Sequence, residues 1–362
     1  MSLPSTQQTL AITTAQGAWE VYPYPVHEPQ PDEVAIKIEA VGLNPVDWKV
    51  QAIRYFSNFV KEYPAILGSD AAGVVVAVGE GVADFAVGDR VLYQGYFTNR
   101  LSTFKQYSVF PSELVAKIPD TITFDQAATV PLALATAALG LYNAGNGVGL
   151  VAPWKEGGRG KYAGQPLVLL GGSTSVGQFV LQLAKISGLS PIIATASPRN
   201  FDLVKAFGAT HVIDRKLSAS EIAAAVKDVT SDPVKIVYDA ISLEHTQLLA
   251  YSVLSLGGTL VLLLPSLIPE DRLIADSDSK KVVIPFGNFY LENNRELGKS
   301  LYAVLRELLE TGEIKASPFL RALPNPVEVL PEGLVGIVDG LARLQADKVS
   351  ARKLVARPHE TK

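Results

Sequence analysis

The amino-acid sequence predicts an α/β protein of two domains, a compact β-barrel or sandwich and a doubly wound parallel sheet. A chain of 362 residues is long enough for two domains with a sizeable core in each. Strand-like segments broken by Gly and Pro fill residues 1–134, and one helix and further strand-like sequence fill residues 297–362. Strands and helices alternate between them, so we assign residues 135–296 to the doubly wound domain.

Four short segments carry the β prediction for the first domain. Residues 32–42 (DEVAIKIEAVG) alternate and are rich in β-branched side chains. Residues 69–82 (SDAAGVVVAVGEGV) read as a small-residue strand that ends in a Gly-rich turn. The segments GDRVLY and FKQYSVF add two more strands. Short strands punctuated by Gly and Pro are typical of a barrel or sandwich.

The second domain has the alternation that is typical of βαβ units. Five apolar runs are its predicted strands: PLVLLGG, PIIATAS, HVID, KIVYDAIS and TLVLLL. The segments between them have helical spacing, and Gly188 and Gly208 are the expected C-caps of the first two helices. Strand alternating with helix predicts a parallel sheet with a doubly wound topology.

Composition and charge exclude several classes of function. The formal net charge of −4 gives no general attraction to nucleic acid or to anionic membranes. The first residues lack a basic start and an apolar run, so we expect no secretory signal. The most apolar stretch, residues 260–264 with its flanks, is too short to span a bilayer. A cytoplasmic protein is therefore expected.

The chain contains no cysteine, which excludes disulfides, a cysteine nucleophile, iron–sulfur clusters and thiolate-bound zinc. The four histidines, His27, His211, His245 and His359, are widely scattered. None lies in a ligand spacing such as HExxH, so the sequence predicts no catalytic metal.

A Gly-rich turn between an apolar strand and a helix is the strongest motif. In LVLLGGSTSVGQFVLQLAK the strand leads into Gly171 and the helix begins a few residues later. Such a turn lets the backbone approach a pyrophosphate, and the N-terminal amides and dipole of the helix favour its charge. A turn used only for packing is the alternative. The predicted cofactor contacts are Gly172, Ser173, Thr174, Ser175, Val176 and Gly177.

The end of the second strand of this domain predicts NADPH rather than NADH. An NAD-selective domain carries Asp or Glu about 20 residues beyond the glycines. Residues 185–201 contain no acid and offer Ser197, Arg199 and Asn200 instead. A hydroxyl and a guanidinium suit a 2′-phosphate. The alternative is a capped helix start with a solvated arginine. Arg215, after the third strand, is a further candidate or a surface charge.

Motifs along nearly the whole chain resemble those of the medium-chain dehydrogenase/reductase superfamily. They are NPVDWK, ILGSDAAGVVVAVGEGV, FAVGDRV, the turn at residues 171–177, TASPRNFDLVKAFGA and KLVAR. GGSTSVG, SPRNFDLVKAFGA and the extended loop before the parallel sheet are most similar to fungal trans-acting enoyl reductases of the lovastatin type. The resemblance implies that residues 1–134 and 297–362 form one GroES-like β-barrel catalytic domain and that residues 135–296 form a Rossmann NADPH-binding domain. It also implies a substrate cleft between the two domains.

The chain departs from the zinc alcohol dehydrogenases of this superfamily at both of their ligand segments. Those enzymes carry a Cys ligand where NPVDWK stands here and a GHE motif where this chain reads LGSD. Neither Asn44 nor Ser69 is a good zinc ligand. The resemblance therefore implies a zinc-free reductase, for which an activated C=C bond is an easier acceptor than an isolated carbonyl.

The resemblance also suggests the catalytic residues. Lys49, in NPVDWK, matches a lysine of the catalytic cleft in enoyl reductases and is our candidate donor to the developing enolate; a surface lysine is the alternative. Thr136 matches a threonine near the nicotinamide, or else bonds its own helix backbone. Asn44 is expected to shape the substrate cleft and Asp47 to make a structural hydrogen bond.

The remaining candidates are assigned by family position or by residue type alone. Each has a plain alternative as a turn, core or solvated residue. The candidate cofactor contacts are Ala240, Ile241, Gly287, Phe289 and Lys353, and the candidate substrate contacts are Tyr63 and Tyr96.

Three functions stay open on the sequence. The first is an NADPH-dependent reductase of an enoyl thioester or enone, with a carrier protein as a candidate partner in a polyketide pathway. The second is an NADPH quinone oxidoreductase, which shares the NPVD-type segment and the lack of zinc. The third is an NADPH-binding regulatory or structural protein without turnover. A zinc alcohol dehydrogenase would carry a bound metal, which we do not expect. We expect no nucleic-acid or membrane partner, and either a monomer or a homodimer.

Overall fold

The computed structural model describes residues 3–53, 57–277, 279–316 and 327–362. The chain divides into two compact units. Unit 1 comprises Met1–Leu132 and Asn288–Lys362, and unit 2 comprises Ala133–Gly287. The structure therefore separates the units at residue 287, earlier than the predicted boundary at 296. The reason is that Asn288 Nδ2 donates to the carbonyl of Gly95 (3.0 Å), and the Phe289 amide donates to Gln94 Oε1 (3.2 Å).

Strands and helices follow the two patterns along the chain. The strands are β1 (Thr6–Ile12), β2 (Trp19–Pro25), β3 (Glu33–Gly42), β4 (Ala65–Ile66), β5 (Asp70–Val78), β6 (Arg90–Gln94), β7 (Tyr107–Pro111), β8 (Val115–Lys117), β9 (Leu167–Leu170), β10 (Ile192–Ala196), β11 (His211–Asp214), β12 (Ile236–Asp239), β13 (Gly258–Leu262), β14 (Lys280–Val283), β15 (Glu328–Val329) and β16 (Leu354–Ala356). The α-helices are α1 (Pro45–Ala52), α2 (Phe124–Ala127), α3 (Pro131–Tyr142), α4 (Ser175–Ser187), α5 (Phe201–Phe207), α6 (Ala219–Val229), α7 (Glu244–Val253), α8 (Glu270–Ala275), α9 (Glu292–Glu310) and α10 (Gly336–Gln345).

Unit 1 is built on a seven-stranded sheet in the order β15-β16-β3-β5-β6-β8, with β7 also paired to β3, and on a three-stranded sheet, β2-β1-β4. The four strands that the sequence predicts here are confirmed as β3, β5, β6 and β7. In the antiparallel register Gly42 pairs with Asp70, Asp70 pairs with Gln94, and Val355 pairs with Gly42. The end of β3, the start of β5 and the end of β6 therefore lie at one edge, next to β16.

Unit 2 is a six-stranded sheet in the order β11-β10-β9-β12-β13-β14, and every neighbouring pair is parallel. This order confirms the predicted doubly wound domain and the five predicted strands. The sequence analysis missed β14, because two lysines in KKVV weaken its apolar signal. Gly188 (φ +86°) ends α4 and Gly208 (φ +130°) ends α5, as predicted.

An apolar core lies against this sheet. Val168, Ile193, Val237 and Leu260 on four neighbouring strands belong to one buried cluster, which side chains of α6 and α7 also join. Within the described residues, the helical segment Phe124–Tyr142 is long and apolar enough to cross a bilayer, a longer segment than the one singled out from the sequence. Its most apolar window is 78% buried inside the protein, which is the environment of a core helix.

A two-armed ion pair fixes β15 beside β16. Glu328 Oε1 lies 2.6 Å from Arg343 Nη1, and Glu328 Oε2 lies 2.8 Å from Arg352 Nη1. The two guanidinium groups lower the pKa of Glu328 to about 2.

We expect Glu328→Gln to lower the Tm at pH 7 by about 2–4 °C, because it removes the charge that both arginines bind. Since the pKa of Glu328 is depressed in the folded state, its stabilisation is complete above its ordinary pKa of 4.5 and is lost as the pH falls through about 2. Thermal unfolding of both proteins from pH 7 down to pH 2 measures this. A Tm difference that persists unchanged at pH 2 would contradict the assignment. Glu310→Gln, which breaks the exposed pair with Arg306, is the control.

Candidate cofactor and catalytic sites

The Gly-rich turn leaves β9 and starts α4 as predicted. Gly171 has a positive φ of +84°, which a residue with a side chain would adopt only with strain. The Gly172 amide donates to the carbonyl of Thr195 (2.9 Å), which ties the turn to the neighbouring strand β10. Thr174 caps α4, since its Oγ1 accepts from the Gly177 amide (2.9 Å).

Close packing explains the glycines of this turn. A Cβ on Gly177 would lie 2.3 Å from the carbonyl oxygen of Gly171, and a Cβ on Gly171 would lie 2.8 Å from Ile241 Cδ1. Ser175 and Val176 supply first-turn amides that have no acceptor within a helix. The turn is therefore tightly packed, and it presents the N-terminal donors of α4, which fit a pyrophosphate.

A cationic cavity lies at the end of β10. Its volume is about 270 Å³, and it is lined by Ser197, Pro198, Arg199, Arg215 and Lys216. Arg215 Nε donates to Ser197 Oγ (2.9 Å), so the loops after β10 and β11 meet here. The structure brings together three of the predicted 2′-phosphate residues and adds Lys216, which the sequence analysis missed although it follows Arg215 directly. Three cations and a hydroxyl in one cavity fit a phosphate dianion.

The fourth predicted residue of this group, Asn200, does not line the cavity. Asn200 is 3% exposed. Its backbone amide donates to the carbonyl of Ser197 (2.8 Å) in the short 3₁₀ turn Pro198–Asn200. The structure thus places the Asn200 side chain inside the protein, and its visible contribution is to shape the turn that presents Arg199.

The segment after β12 lies beside the Gly-rich turn. The Ala240 amide donates to the carbonyl of Leu170 (3.0 Å), and the Ile241 amide donates to Asp239 Oδ1 (3.0 Å). The Ile241 side chain approaches Gly171, as the packing of that glycine shows. Residues 240 and 241 are therefore at the carboxyl edge of the parallel sheet, where ligands bind in open α/β sheets.

Thr136 and Gly287 are neighbours in unit 2. A Cβ on Gly287 would lie 2.2 Å from Thr136 Oγ1, so only glycine fits against this hydroxyl. The Thr136 carbonyl accepts from the Tyr238 hydroxyl (2.9 Å), which fixes α3 to β12. Phe289 lies in unit 1, where the residue is 1% exposed and its ring packs edge-on against Tyr302 with the ring centres 5.7 Å apart. Its backbone amide donates to Gln94 Oε1. The structure therefore places Phe289, a predicted cofactor contact, in the core of unit 1.

Lys49 lies on α1. This helix begins three residues after the end of β3, so it starts at that edge of the sheet. The Lys49 side chain is half-buried, and its Nζ lies 5.8 Å from the centre of the Trp48 ring. Burial lowers the pKa of Lys49 below its ordinary value, because desolvation disfavours the charged form. The ammonium group is thus a stronger acid than that of a surface lysine.

A buried polar cluster, here called the α1 cluster, lies beneath this helix. It consists of Asn44, Asp47, Ser69, Asp70 and Lys353, all at most 3% exposed. Asp70 Oδ2 accepts from Lys353 Nζ and from Asn44 Nδ2, both at 2.8 Å. Lys353 Nζ also donates to Asn44 Oδ1.

Asp47 joins the cluster from inside α1. Its Oδ2 accepts from the Asn44 amide (2.8 Å) and so closes the first turn of the helix, as the sequence analysis expected of a structural hydrogen bond. Burial raises the pKa of Asp47 to about 7. Lys353, a predicted cofactor contact, has its ammonium group committed inside unit 1.

The two predicted substrate tyrosines differ in their surroundings. Tyr96 follows β6, two residues after Gln94, which pairs with Asp70 of the α1 cluster. Its ring packs on Tyr290 with the ring centres 4.8 Å apart. Tyr63 is 38% exposed and precedes a cis-proline, Pro64. Tyr96 thus lies just beyond the end of β6, at the sheet edge where β5 begins.

Two known protein families match this chain, one within unit 1 and the other within unit 2. The alcohol dehydrogenase GroES-like domain family matches residues 30–120, and the zinc-binding dehydrogenase family matches residues 175–264. A mycobacterial protein, Rv1454c, solved in complex with NADPH, superposes with a TM-score of 0.74 over 97% of this chain and 100% of its own, at 23% identity. That likeness supports the fold.

Two fungal relatives are similar over nearly the full length. Trans-enoyl reductase buaC of Petromyces alliaceus is 31% identical over 98% of this chain and 97% of its own length. The enoyl reductase component lovC of the lovastatin nonaketide synthase, from Aspergillus terreus, is 30% identical over 98% of this chain and 97% of its own. A barrel-type unit, a doubly wound unit with a Gly-rich turn, and these relatives lead to one conclusion: the chain belongs to the medium-chain dehydrogenase/reductase superfamily of nicotinamide-dependent oxidoreductases.

Proposed function

We propose that this protein is an NADPH-dependent reductase of activated C=C bonds, with enoyl thioesters as its acceptors. The observation that carries the proposal is the full-length similarity to two proteins named as enoyl reductases, at 30% and 31% identity. One of these is named as the enoyl reductase component of a nonaketide synthase, so we further propose that this chain acts in trans on a carrier-bound intermediate.

The cavity after β10 supports NADPH as the cofactor. Arg199, Arg215 and Lys216 surround it, and each is a cation that a 2′-phosphate would neutralise. No acid lies between residues 185 and 201 to accept from the 2′-hydroxyl of NADH. The turn at residues 171–177 would hold the pyrophosphate, and Ile241 would pack beside it. Bound NADPH supplies a hydride to the β-carbon of the acceptor.

Lys49 and Thr136 are the proposed catalytic side chains. Hydride addition leaves negative charge on the carbonyl oxygen of the thioester, and the Lys49 ammonium would stabilise that charge by a charge-assisted hydrogen bond. Its lowered pKa would also let it deliver a proton toward the α-carbon. The Thr136 hydroxyl would orient the carboxamide of the nicotinamide. Asn44 would act through α1, and Tyr96 would line the acceptor site.

Further properties follow from the same proposal. The acceptor would be a small enoyl compound or a thioester-linked chain on a carrier protein, and the compartment would be the cytoplasm. A monomer and a homodimer both fit an enzyme of this kind.

Oxidation of NADPH at 340 nm with three acceptors tests the function. We expect turnover with an enoyl thioester of N-acetylcysteamine, less with a simple enone, and least with a benzoquinone. NADH in place of NADPH should give a much higher KM. Preferred turnover of the quinone would make the protein a quinone oxidoreductase. NADPH binding without oxidation by any acceptor would indicate a regulatory or structural protein.

A further inference from the structure

The matching family is described as zinc-binding, so the α1 cluster must be tested as a metal site. The α1 cluster contains residues of NPVDWK and of LGSD. These two segments stand where zinc alcohol dehydrogenases carry their ligands. No group of three or more His, Cys, Asp or Glu side chains that could hold a metal occurs within the described ranges. Asp70 Oδ1 accepts from the Leu132 amide (2.6 Å), and Asp70 Oδ2 is bonded to Lys353 and Asn44. The residues do not fit zinc, because their oxygens already serve internal donors.

We propose that the Lys353 ammonium supplies the positive charge of the α1 cluster. Lys353 is a positioning residue that holds α1, and with α1 the Lys49 side chain, in the orientation needed for catalysis. This role rests on the proposed function only where Lys49 is concerned. The organisation of α1 by Lys353 is a separate claim that can be measured without an acceptor.

The contacts of Lys353 show how it would act. Its Nζ binds Asp70 at the start of β5 and Asn44 at the residue before α1, so one ammonium group joins two strands and a helix. The Asn44 side chain is turned toward both charged groups: its Nδ2 donates to Asp70 Oδ2 (2.8 Å), and its Oδ1 accepts from Lys353 Nζ. The Lys353 ammonium therefore holds Asn44, the residue at which the chain enters α1.

The side-chain stem of Lys353 packs closely against Gly42. A Cβ on Gly42 would lie 3.0 Å from Lys353 Cε and 2.3 Å from the carbonyl oxygen of Ala128. Asp70 is 0% exposed and Lys353 is 3% exposed. A buried carboxylate that loses its cation is strongly unfavourable, so removal of Lys353 must shift the groups around Asp70.

The test uses three variants of the full chain. Lys353→Met keeps the length of the side chain and removes its charge. The double variant Lys353→Met with Asp70→Asn removes both buried charges and is expected to recover thermal stability. Lys37→Met is the matched control, since Lys37 makes a partly exposed pair with Glu39 (2.8 Å) on β3.

Activity and cofactor affinity separate positioning from stability. We expect Lys353→Met to lower kcat for the enoyl thioester by about 10²-fold, the effect of misplacing a catalytic group by about 1 Å, with the Kd for NADPH unchanged. The double variant should recover the Tm but keep the loss in kcat. Recovery of kcat together with the Tm would show that Lys353 only neutralises Asp70, and wild-type kcat in Lys353→Met would remove its role.

Hydrogen exchange gives a measurement that is independent of the reaction. Peptides that contain Pro45–Ala52 should exchange at least about tenfold faster in the double variant than in the wild type, because α1 has lost its anchor. The exchange rate of peptides from β1 should be unchanged in the double variant. The Lys37→Met control should exchange at the wild-type rate. Unaltered exchange in α1 would overturn the proposal even if the enzyme proved to reduce another class of acceptor.

Discussion

Lys49→Met is expected to lower kcat by about 10²–10⁴-fold with an enoyl thioester, the range for loss of a positioned proton donor. Methionine has a similar length but can neither stabilise an enolate oxygen nor supply a proton. The proposed cofactor residues of the Gly-rich turn and the cationic cavity lie in unit 2, so the Kd for NADPH should stay within about twofold. Stopped-flow oxidation of NADPH and a fluorescence titration measure the two quantities.

The control for this prediction is Lys61→Met. Lys61 is an exposed lysine of the same unit whose Nζ donates to the carbonyl of Asn58 (3.2 Å). It should retain wild-type turnover. If Lys49→Met also turned over at the wild-type rate, Lys49 would be a structural residue of α1 and the proton would come from another group or from water.

Replacing the cations of the cavity after β10 is expected to remove the preference for NADPH. Arg199→Ala should raise the Kd for NADPH by about 10–100-fold, since a hydrogen bond to a charged group contributes about 1.5–3 kcal/mol. Arg199→Ala combined with Arg215→Ala should weaken binding further, and Lys216→Ala should have an effect in the same direction. The Kd for NADH should hardly change, because NADH carries no 2′-phosphate. Calorimetric titration with both dinucleotides measures the ratio.

Arg272→Ala is the matched control, because Arg272 lies on α8 and does not line the cavity. Its Kd values should equal those of the wild type. Equal losses for NADPH and NADH in Arg199→Ala would mean that the cavity does not hold the 2′-phosphate. An unchanged Kd for NADPH in the double variant would remove the argument for this cofactor from the structure.

Local patterns in the sequence predicted the parts of the fold that are built from local signals. The alternation of strand and helix gave unit 2, and Gly188 and Gly208 marked the ends of two helices. The turn around Gly171 was visible because glycine, a short apolar run and helical spacing follow one another within a few residues. β14 was missed because its two lysines hide a short edge strand.

The α1 cluster could not be predicted in the same way. Lys353 and Asn44 are 309 residues apart in the chain, and nothing near either residue indicates the other. Charged residues are also expected at the surface, so a buried ammonium group has no sequence pattern of its own. Lys105 shows the same difficulty: it is 1% exposed and donates to the carbonyls of Asn99 and Arg100, both at 2.7 Å.

Unit 1 is assembled from two stretches of chain that flank unit 2, and this order has a consequence for synthesis on the ribosome. Domains tend to fold as they emerge, and unit 2 is one continuous stretch that is complete while β15 and β16 are still inside the ribosome. Lys353 follows the whole of unit 2 in the chain, so the ion pair between Asp70 and Lys353 can form only after unit 2 has been synthesised. Synthesis of unit 2, which contains the proposed nucleotide site, is therefore completed before synthesis of unit 1 is. Lys353, the counter-ion of Asp70, is added near the end of the synthesis of unit 1.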